Sequence, residues 1–199
     1  MENNIDLNQE ISFETFKKQV LEDYRLIVTS REASLLGRRE VLNGKAKFGI
    51  FGDGKELPQI ALSKVFQKGD YRSGYYRDQT FMMSINELTV KQLFSGLYAN
   101  TDINEEPMSA GRQMGAHFNT PFLNKDGTWK NLIDLKNSSS DVSCTGSQMP
   151  RLLGLAQASK LYRKLKIKNS SKFSNNGNEI AWGTIGNAST SEGIFFEVL

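Results

Sequence analysis

The chain of 199 residues contains one cysteine, one histidine and four prolines. A single cysteine, Cys144, excludes an internal disulfide framework and a cysteine-rich zinc site, and such usage is typical of the reducing cytoplasm. No apolar run approaches the roughly 20 residues of a membrane-spanning helix. The polar segment 1–14 lacks the apolar core of an export signal. We therefore expect a soluble, cytoplasmic protein without membrane association.

The chain also lacks a large excess of either charge. It has 25 Lys and Arg residues and 22 Asp and Glu residues, which gives a formal net charge of +3. One denser basic patch at residues 160–172 is interpreted as a solvated face, so nothing demands a nucleic-acid partner. With 38% apolar and 24% charged residues, the chain is long enough to bury one sizeable core. We expect one domain with an appendage.

Apolar residues at helical spacing predict several helices. The predicted helices are 12–28, 31–42, 58–66, 89–98, a helix that starts after Ser147, and 194–199. Residues 45–51 are predicted to be extended, and Asn43-Gly44 is a stop signal for the second helix. Ser147 is an expected N-cap for the helix that follows it.

The stretch from residue 180 to the end reads as strand, tight turn and helix. Its strand, 180–185, is apolar throughout and is predicted to be central in a parallel sheet. The turn at Gly186-Asn187-Ala188 would present backbone amides to an anion. The side chain of Asn187 could offer an oxygen to a metal ion. No stop signal follows Leu199, so we interpret the sequence as the front part of a longer protein.

Three further segments are ambiguous. Residues 71–77 hold two arginines and three tyrosines, which suit a phosphate site or an exposed aromatic loop with paired charges. Residues 52–55 look like a phosphate loop, but the remainder of a P-loop is missing, so a turn is favoured. His117, in the compact loop 111–118, is either a structural residue or a proton handler.

Four motifs in this order resemble one family. They are Tyr76-Arg77-Asp78, Gly111-Arg112-Gln113-Met114 with His117, Ser143 to Gln148 before Pro150, and Gly186-Asn187-Ala188 with Ser191-Glu192-Gly193. The chain from Gly44 to Leu199 resembles the alpha part of the thiamine-diphosphate-dependent decarboxylase component of 2-oxo acid dehydrogenase complexes. The Gly-Arg-Gln-Met loop and the Ser-Glu-Gly segment point to the branched-chain (2-oxoisovalerate) type.

The resemblance implies an α/β thiamine-diphosphate-binding fold, a mostly parallel sheet with flanking helices that is incomplete at its C-terminus. Residues 1–43 would form a helical extension and residues 44–199 the cofactor-binding domain. The implied reaction is oxidative decarboxylation of a branched 2-oxo acid with reductive acylation of a lipoyl carrier. The implied partners are a beta part, separate or fused, in a heterotetramer, and a lipoyl-bearing acyltransferase core. The fragment alone is expected to be inactive.

The resemblance also implies roles near the diphosphate. Tyr76 and Arg77 would contact the diphosphate, with Tyr71 and Arg72 as a rival register. In the metal turn, Gly186, Asn187 and Ala188 would hold Mg²⁺ and cofactor. The family usually has an acidic residue at the position of Asn187, whose amide oxygen is still a suitable ligand for Mg²⁺.

Further roles follow from the loops. Ser143 would contact the cofactor, and Thr145 would lie beside it. His117 and Gln113 would lie on the substrate side. A potassium-stabilised loop would fall on Val142, Cys144, Ser147 and Gln148, although Val142 and Cys144 replace other residues and could offer only backbone carbonyls.

Three alternatives stay open: a non-catalytic assembly module that keeps the cofactor fold, suggested by Asn187; a pyruvate-type component; and an ordinary nucleotide-binding α/β domain, suggested by the glycine turns.

Overall fold

The computed structural model describes residues 11–199, so the first ten residues of the predicted N-terminal extension lie outside it. The helices are α1 (Phe13–Leu42), α2 (Glu56–Val65), α3 (Gln79–Ser84), α4 (Val90–Leu97), α5 (Gln148–Lys164) and α6 (Gly193–Val198). The strands are β1 (Tyr71–Ser73), β2 (Asn137–Ser138) and β3 (Ala181–Gly183). Short 3-10 turns occur at 132–134, 170–172 and 187–191. None of the helices in this range is long and apolar enough to cross a membrane.

The three strands form a parallel sheet in the order β2-β1-β3, which confirms the α/β class. The predicted central position of the strand after residue 180 is wrong within the described sheet, because β3 lies at its edge and Ile180 is 53% exposed. The central strand is β1, where Arg72 and Ser73 are buried. The sequence does not predict a strand at Tyr71–Ser73, which was ambiguous between a phosphate site and an exposed loop.

The N-terminal region is one helix, not the two predicted segments. No Gly or Pro interrupts the chain near Ser30, and Ser30 packs into the protein instead of ending the helix. Its hydroxyl lies 2.7 Å from that of Thr80, and its carbonyl accepts from Gln79 Nε2 at 2.9 Å. The first turns of α1 stay exposed; Phe13, for example, is 72% exposed.

The main apolar core surrounds α3, a helix that the apolar periodicity did not reveal. Phe81 and Met82 are 1% and 0% exposed, and Phe66 packs edge-on against Phe81 with ring centroids 5.2 Å apart. Full burial of each such side chain contributes about 1.5–3 kcal/mol to the stability of the folded state. The segment after β1 is thus held between the core and the sheet.

Other predicted boundaries agree closely with the structure. Helix α4 begins with a capping box in which Thr89 and Gln92 exchange hydrogen bonds. Helix α5 begins after Ser147 as predicted, but the Ser147 side chain makes no capping bond, and Leu153 on the predicted apolar face is 51% exposed. The extended prediction for 45–51 yields no strand.

Candidate functional site

A cavity of about 660 Å³ lies where β1 and β3 end and α2 begins. Ligands of open α/β sheets bind beyond the carboxyl ends of the strands, which is where this cavity lies. It is lined by Lys55, Pro58, Gln59 and Leu62 at α2, by Tyr75, Arg77 and Asp78 after β1, and by Thr184, Ile185, Gly186, Asn187 and Ala188 after β3.

The most conspicuous side chain on this wall is Arg77. Its guanidinium lies over the ring of Tyr76 at 5.1 Å and that of Tyr75 at 6.0 Å, and it makes no ion pair within residues 11–199. Its backbone is fixed, because Gln59 Nε2 donates to the Arg77 carbonyl at 2.8 Å. A Cβ at Gly52 would lie only 2.5 Å from the same carbonyl oxygen, so the loop before α2 needs glycine there. The result is a cation held at the cavity wall, where its charge can attract an anion.

The rival arginine is not available to a ligand. Arg72 is 1% exposed and pairs with Asp78 and Asp141 at 2.7 and 2.9 Å. Burial opposes its charge, but the two carboxylates outweigh this effect and raise the pKa of Arg72 above its ordinary value. Burial raises the pKa of Asp141, while Arg72 opposes that rise. Of the two arginines, only Arg77 lines the cavity.

The turn after β3 lines the same cavity as Arg77. Gly186 precedes a 3-10 turn that starts at Asn187 and is closed by Thr190, whose hydroxyl donates to the Asn187 carbonyl at 2.7 Å. Asn187 and Ala188 are exposed at the cavity wall. Within residues 11–199 no group of three or more His, Cys, Asp or Glu side chains is placed to hold a metal ion.

His117 forms a second polar centre close to the first. Its Nδ1 lies 3.0 Å from the Met114 carbonyl, which can only accept, so Nδ1 donates there. In the neutral ring, Nε2 accepts from the Ser143 hydroxyl at 2.6 Å. The ring is 6.4 Å from that of Tyr76 between centroids. Tyr76 is therefore a neighbour of both His117 and Arg77, and the imidazole lies beside the Ser143 hydroxyl.

The other predicted site residues are less closely grouped. Gln113 is exposed, and its backbone N–H donates to Ser109 Oγ at 3.2 Å. Thr145 and Cys144 are exposed and Val142 is half-buried in the loop before α5. The last two positions of the predicted potassium loop are Ser147, half-buried, and Gln148, buried with Nε2 donating to the Thr184 carbonyl at 2.9 Å.

Sequence reasoning missed Lys55 as a site residue. Lys55 and Arg77 line both the main cavity and a neighbouring one of about 430 Å³, and Lys55 makes no ion pair within the described range. The glycine-rich turn 52–55 is a signal for this lysine, although the turn is not a P-loop. The structure confirms the turn and adds that its lysine faces the cavity.

Together, the parallel sheet and the cavity at its carboxyl edge define an α/β protein with two cationic side chains, Lys55 and Arg77, at its candidate site. Residues 25–199 match the model of the dehydrogenase E1 component family. The chain belongs to this family, the thiamine-diphosphate-dependent decarboxylase components of 2-oxo acid dehydrogenases. Alpha-type members of the family normally pair with a beta subunit. A comparison with curated proteins found no match.

Proposed function

We propose that this chain is the alpha part of a branched-chain 2-oxo acid decarboxylase component and that its main cavity holds the cofactor's diphosphate. The observation that carries the proposal is that Arg77, which follows β1, and the turn 186–188, which follows β3, line one cavity. The two segments are far apart in sequence and carry two of the motifs of the family resemblance. A diphosphate needs such a convergence of cation and turn.

The donor set fits this anion. Arg77 and Lys55 supply two positive side chains without ion-pair partners in residues 11–199. Asn187 supplies an oxygen of the type that Mg²⁺ prefers, and the remaining ligands would include diphosphate oxygens. When bound, thiamine diphosphate supplies the thiazolium that accepts the electron pair released as CO₂ leaves.

The remaining residues would act around that group. Tyr76 would pack beside Arg77, and His117 would position the keto acid or the incoming lipoyl arm, with Nε2 able to take up a proton. Gln113 would lie on the substrate side, and Ser143 and Thr145 on the cofactor side. The segment made of Val142, Cys144, Ser147 and Gln148 would be a potassium-stabilised loop. We propose 3-methyl-2-oxobutanoate as the substrate type, and a beta part and a lipoyl-bearing acyltransferase core as partners.

Thermal unfolding of the full-length gene product with different ligands tests the proposal. Thiamine diphosphate with Mg²⁺ should raise the melting temperature, whereas NAD and ATP should not. Stabilisation by a nucleotide alone would instead support a nucleotide-binding domain. A panel of branched 2-oxo acids and pyruvate, assayed with a beta part and a lipoyl carrier, then distinguishes the branched-chain from the pyruvate type.

A second function, a non-catalytic assembly module, is favoured by Asn187 standing where the family usually has an acid. It predicts cofactor binding without decarboxylation of any 2-oxo acid, even with a beta part present. Turnover of 3-methyl-2-oxobutanoate would eliminate it.

A further inference from the structure

A buried ionic cluster of Arg72, Asp78 and Asp141 lies beneath the candidate site. All three side chains are at most 4% exposed. The Arg72 guanidinium donates to Asp78 Oδ2 from Nε at 3.0 Å and from a terminal nitrogen at 2.7 Å. It donates to the two Asp141 oxygens at 2.9 and 3.2 Å. One positive charge therefore joins two carboxylates from different loops.

Through Asp78, the cluster is connected to the cavity wall. Asp78 Oδ2 also accepts from the backbone N–H of Tyr75 at 3.3 Å and from the Thr184 hydroxyl. Arg72 donates in addition to the Tyr75 carbonyl at 3.1 Å. These contacts hold the loop that carries Arg77 against the end of β3, where the Gly186 turn begins.

Through Asp141, the same guanidinium is connected to the second polar centre. Asp141 Oδ2 accepts from the backbone N–H of Phe118 at 3.1 Å. Phe118 follows His117 directly, and Asp141 precedes Ser143 by two positions. Asp141 thus joins the two segments whose side chains form the 2.6 Å contact between His117 Nε2 and Ser143 Oγ.

Space around Arg72 leaves little freedom for another arrangement. A Cβ at Gly74 would lie 2.2 to 2.3 Å from guanidinium atoms of Arg72, so the chain passes directly against this group. A buried charge that loses one partner is strongly destabilised, so the three side chains hold each other in one geometry. The cluster is a rigid connection between the two halves of the site.

We infer that Arg72 is a positioning residue: by binding Asp78 and Asp141 together, it sets the placement of the Arg77 cavity relative to the His117–Ser143 pair. The inference rests on the proposed function, which assigns the cofactor to the Arg77 cavity and the substrate side to His117. It assigns Arg72 no contact with cofactor or substrate. Arg72 has two connections, one through Asp78 to the cavity and one through Asp141 to His117, and each can be measured separately.

Asp141→Asn tests the connection through Asp141 to His117, and it keeps the size of the side chain. The ¹⁵N signals of His117 report its bond to Ser143, and a His117→Gln variant identifies them among the histidine signals of the full-length protein. In the full-length protein, compared with the unmodified form, we expect Asp141→Asn and Arg72→Gln to move the His117 Nε2 signal towards that of an imidazole without this hydrogen bond. An unchanged signal in both folded variants would overturn the inference.

Thr184→Val tests the connection to the cavity, because it removes the hydroxyl from which Asp78 accepts a hydrogen bond. By calorimetry with thiamine diphosphate and Mg²⁺, we expect a roughly 10-fold weaker affinity, the usual effect of disturbing a supporting contact, with His117 signals unchanged. Since Thr184 also lines the cavity, Thr184→Ser, which keeps the hydroxyl, is its control and should bind the cofactor with unchanged affinity. Equal cofactor affinity in Thr184→Val and the unmodified protein would refute the connection through Asp78 to the cavity. Arg72→Gln should show both changes; if it does not fold, the Asp141 and Thr184 variants decide the question separately.

Asn137→Ala is the matched control. Its buried amide donates to three backbone carbonyls near the amino ends of β1 and β2, at 2.8 to 3.2 Å, away from the site loops. We expect a lower melting temperature with His117 signals and cofactor affinity unchanged. If the control produced the same changes as Asp141→Asn, the cluster would be merely structural. Failure of the unmodified protein to bind thiamine diphosphate would refute the proposed function, while the His117 signals would still test Arg72.

Discussion

Replacing Asn187 with aspartate should tighten the binding of Mg²⁺ and thiamine diphosphate. Two opposite unit charges 4 Å apart attract by about 1 kcal/mol in water and about 4 kcal/mol at an effective dielectric constant of 20. Asn187 is exposed at the cavity wall, so the lower value is appropriate. The double charge of Mg²⁺ raises the attraction and the negative diphosphate offsets part of it. We expect a net gain of about 1–2 kcal/mol, or roughly 5- to 30-fold in affinity.

The assay is calorimetric titration of Mg²⁺ into full-length protein with thiamine diphosphate present, at low ionic strength, where charge effects are largest. Asn178→Asp is the matched control, because Asn178 is also exposed, lies in the loop before β3 and gives the same net charge. The gain should appear for Asn187→Asp alone. If Asn187→Asp gave no gain, or if both variants gave the same gain, Asn187 would not be the metal ligand.

Three other changes test separate parts of the structure. Lys55→Met should weaken inorganic pyrophosphate binding about 10-fold if Lys55 supplies a second cation to the cavity, and unchanged calorimetric affinity would exclude that role. Phe81→Ala should lower the free energy of unfolding by about 3–5 kcal/mol, since Phe81 is 1% exposed, whereas Phe13→Ala, at a 72% exposed position, should have little effect on denaturant unfolding. Burial opposes the charge of Glu56, but Arg31 and backbone N–H groups hold the pKa of Glu56 below its ordinary value. Its stabilisation is therefore present above about pH 4.3 and is lost as the pH falls through the folded pKa. Glu56→Gln should flatten the loss of stability in that acid range, and an unchanged pH profile of unfolding would contradict this.

Helices with a strong apolar period and a local start signal could be predicted from the sequence. Helix α4 is the clearest case, because Thr89 and Gln92 form a capping box within four residues. Local signals failed where the structure depends on distant contacts. Ser30 gives no sign in the sequence that it packs on α3, so the continuity of α1 was missed.

The central strand was missed for a related reason. Arg72 resembles a ligand-binding arginine in sequence, and only the fold shows that Asp78 and Asp141 neutralise it in the interior. Strand β2 consists of Asn137 and Ser138, which have no strand propensity as a pair and are buried through tertiary hydrogen bonds. Strands are recognised in a sequence by the alternation of apolar and polar residues, and strands of two or three polar residues do not show this alternation.

Residues of the four family motifs come together in the structure. The motifs selected Arg77, which lines the cavity with the Asn187 turn, and they placed His117 and Ser143, whose side chains form a hydrogen bond. They did not indicate Lys55, which was visible only as part of a glycine-rich turn. The ligand roles of these residues and the division at residue 43 stay predictions.

The most direct test of the central claim is calorimetric titration of thiamine diphosphate, with Mg²⁺ present, into the full-length protein and its Arg77→Met variant. Methionine keeps much of the packing on Tyr76 and removes the charge. We expect saturable binding to the unmodified protein and at least about 10-fold weaker binding to the variant, because the variant lacks a charged hydrogen-bonding partner. Equal affinities, or binding of ATP in place of thiamine diphosphate, would contradict the assignment of this cavity to the cofactor's diphosphate.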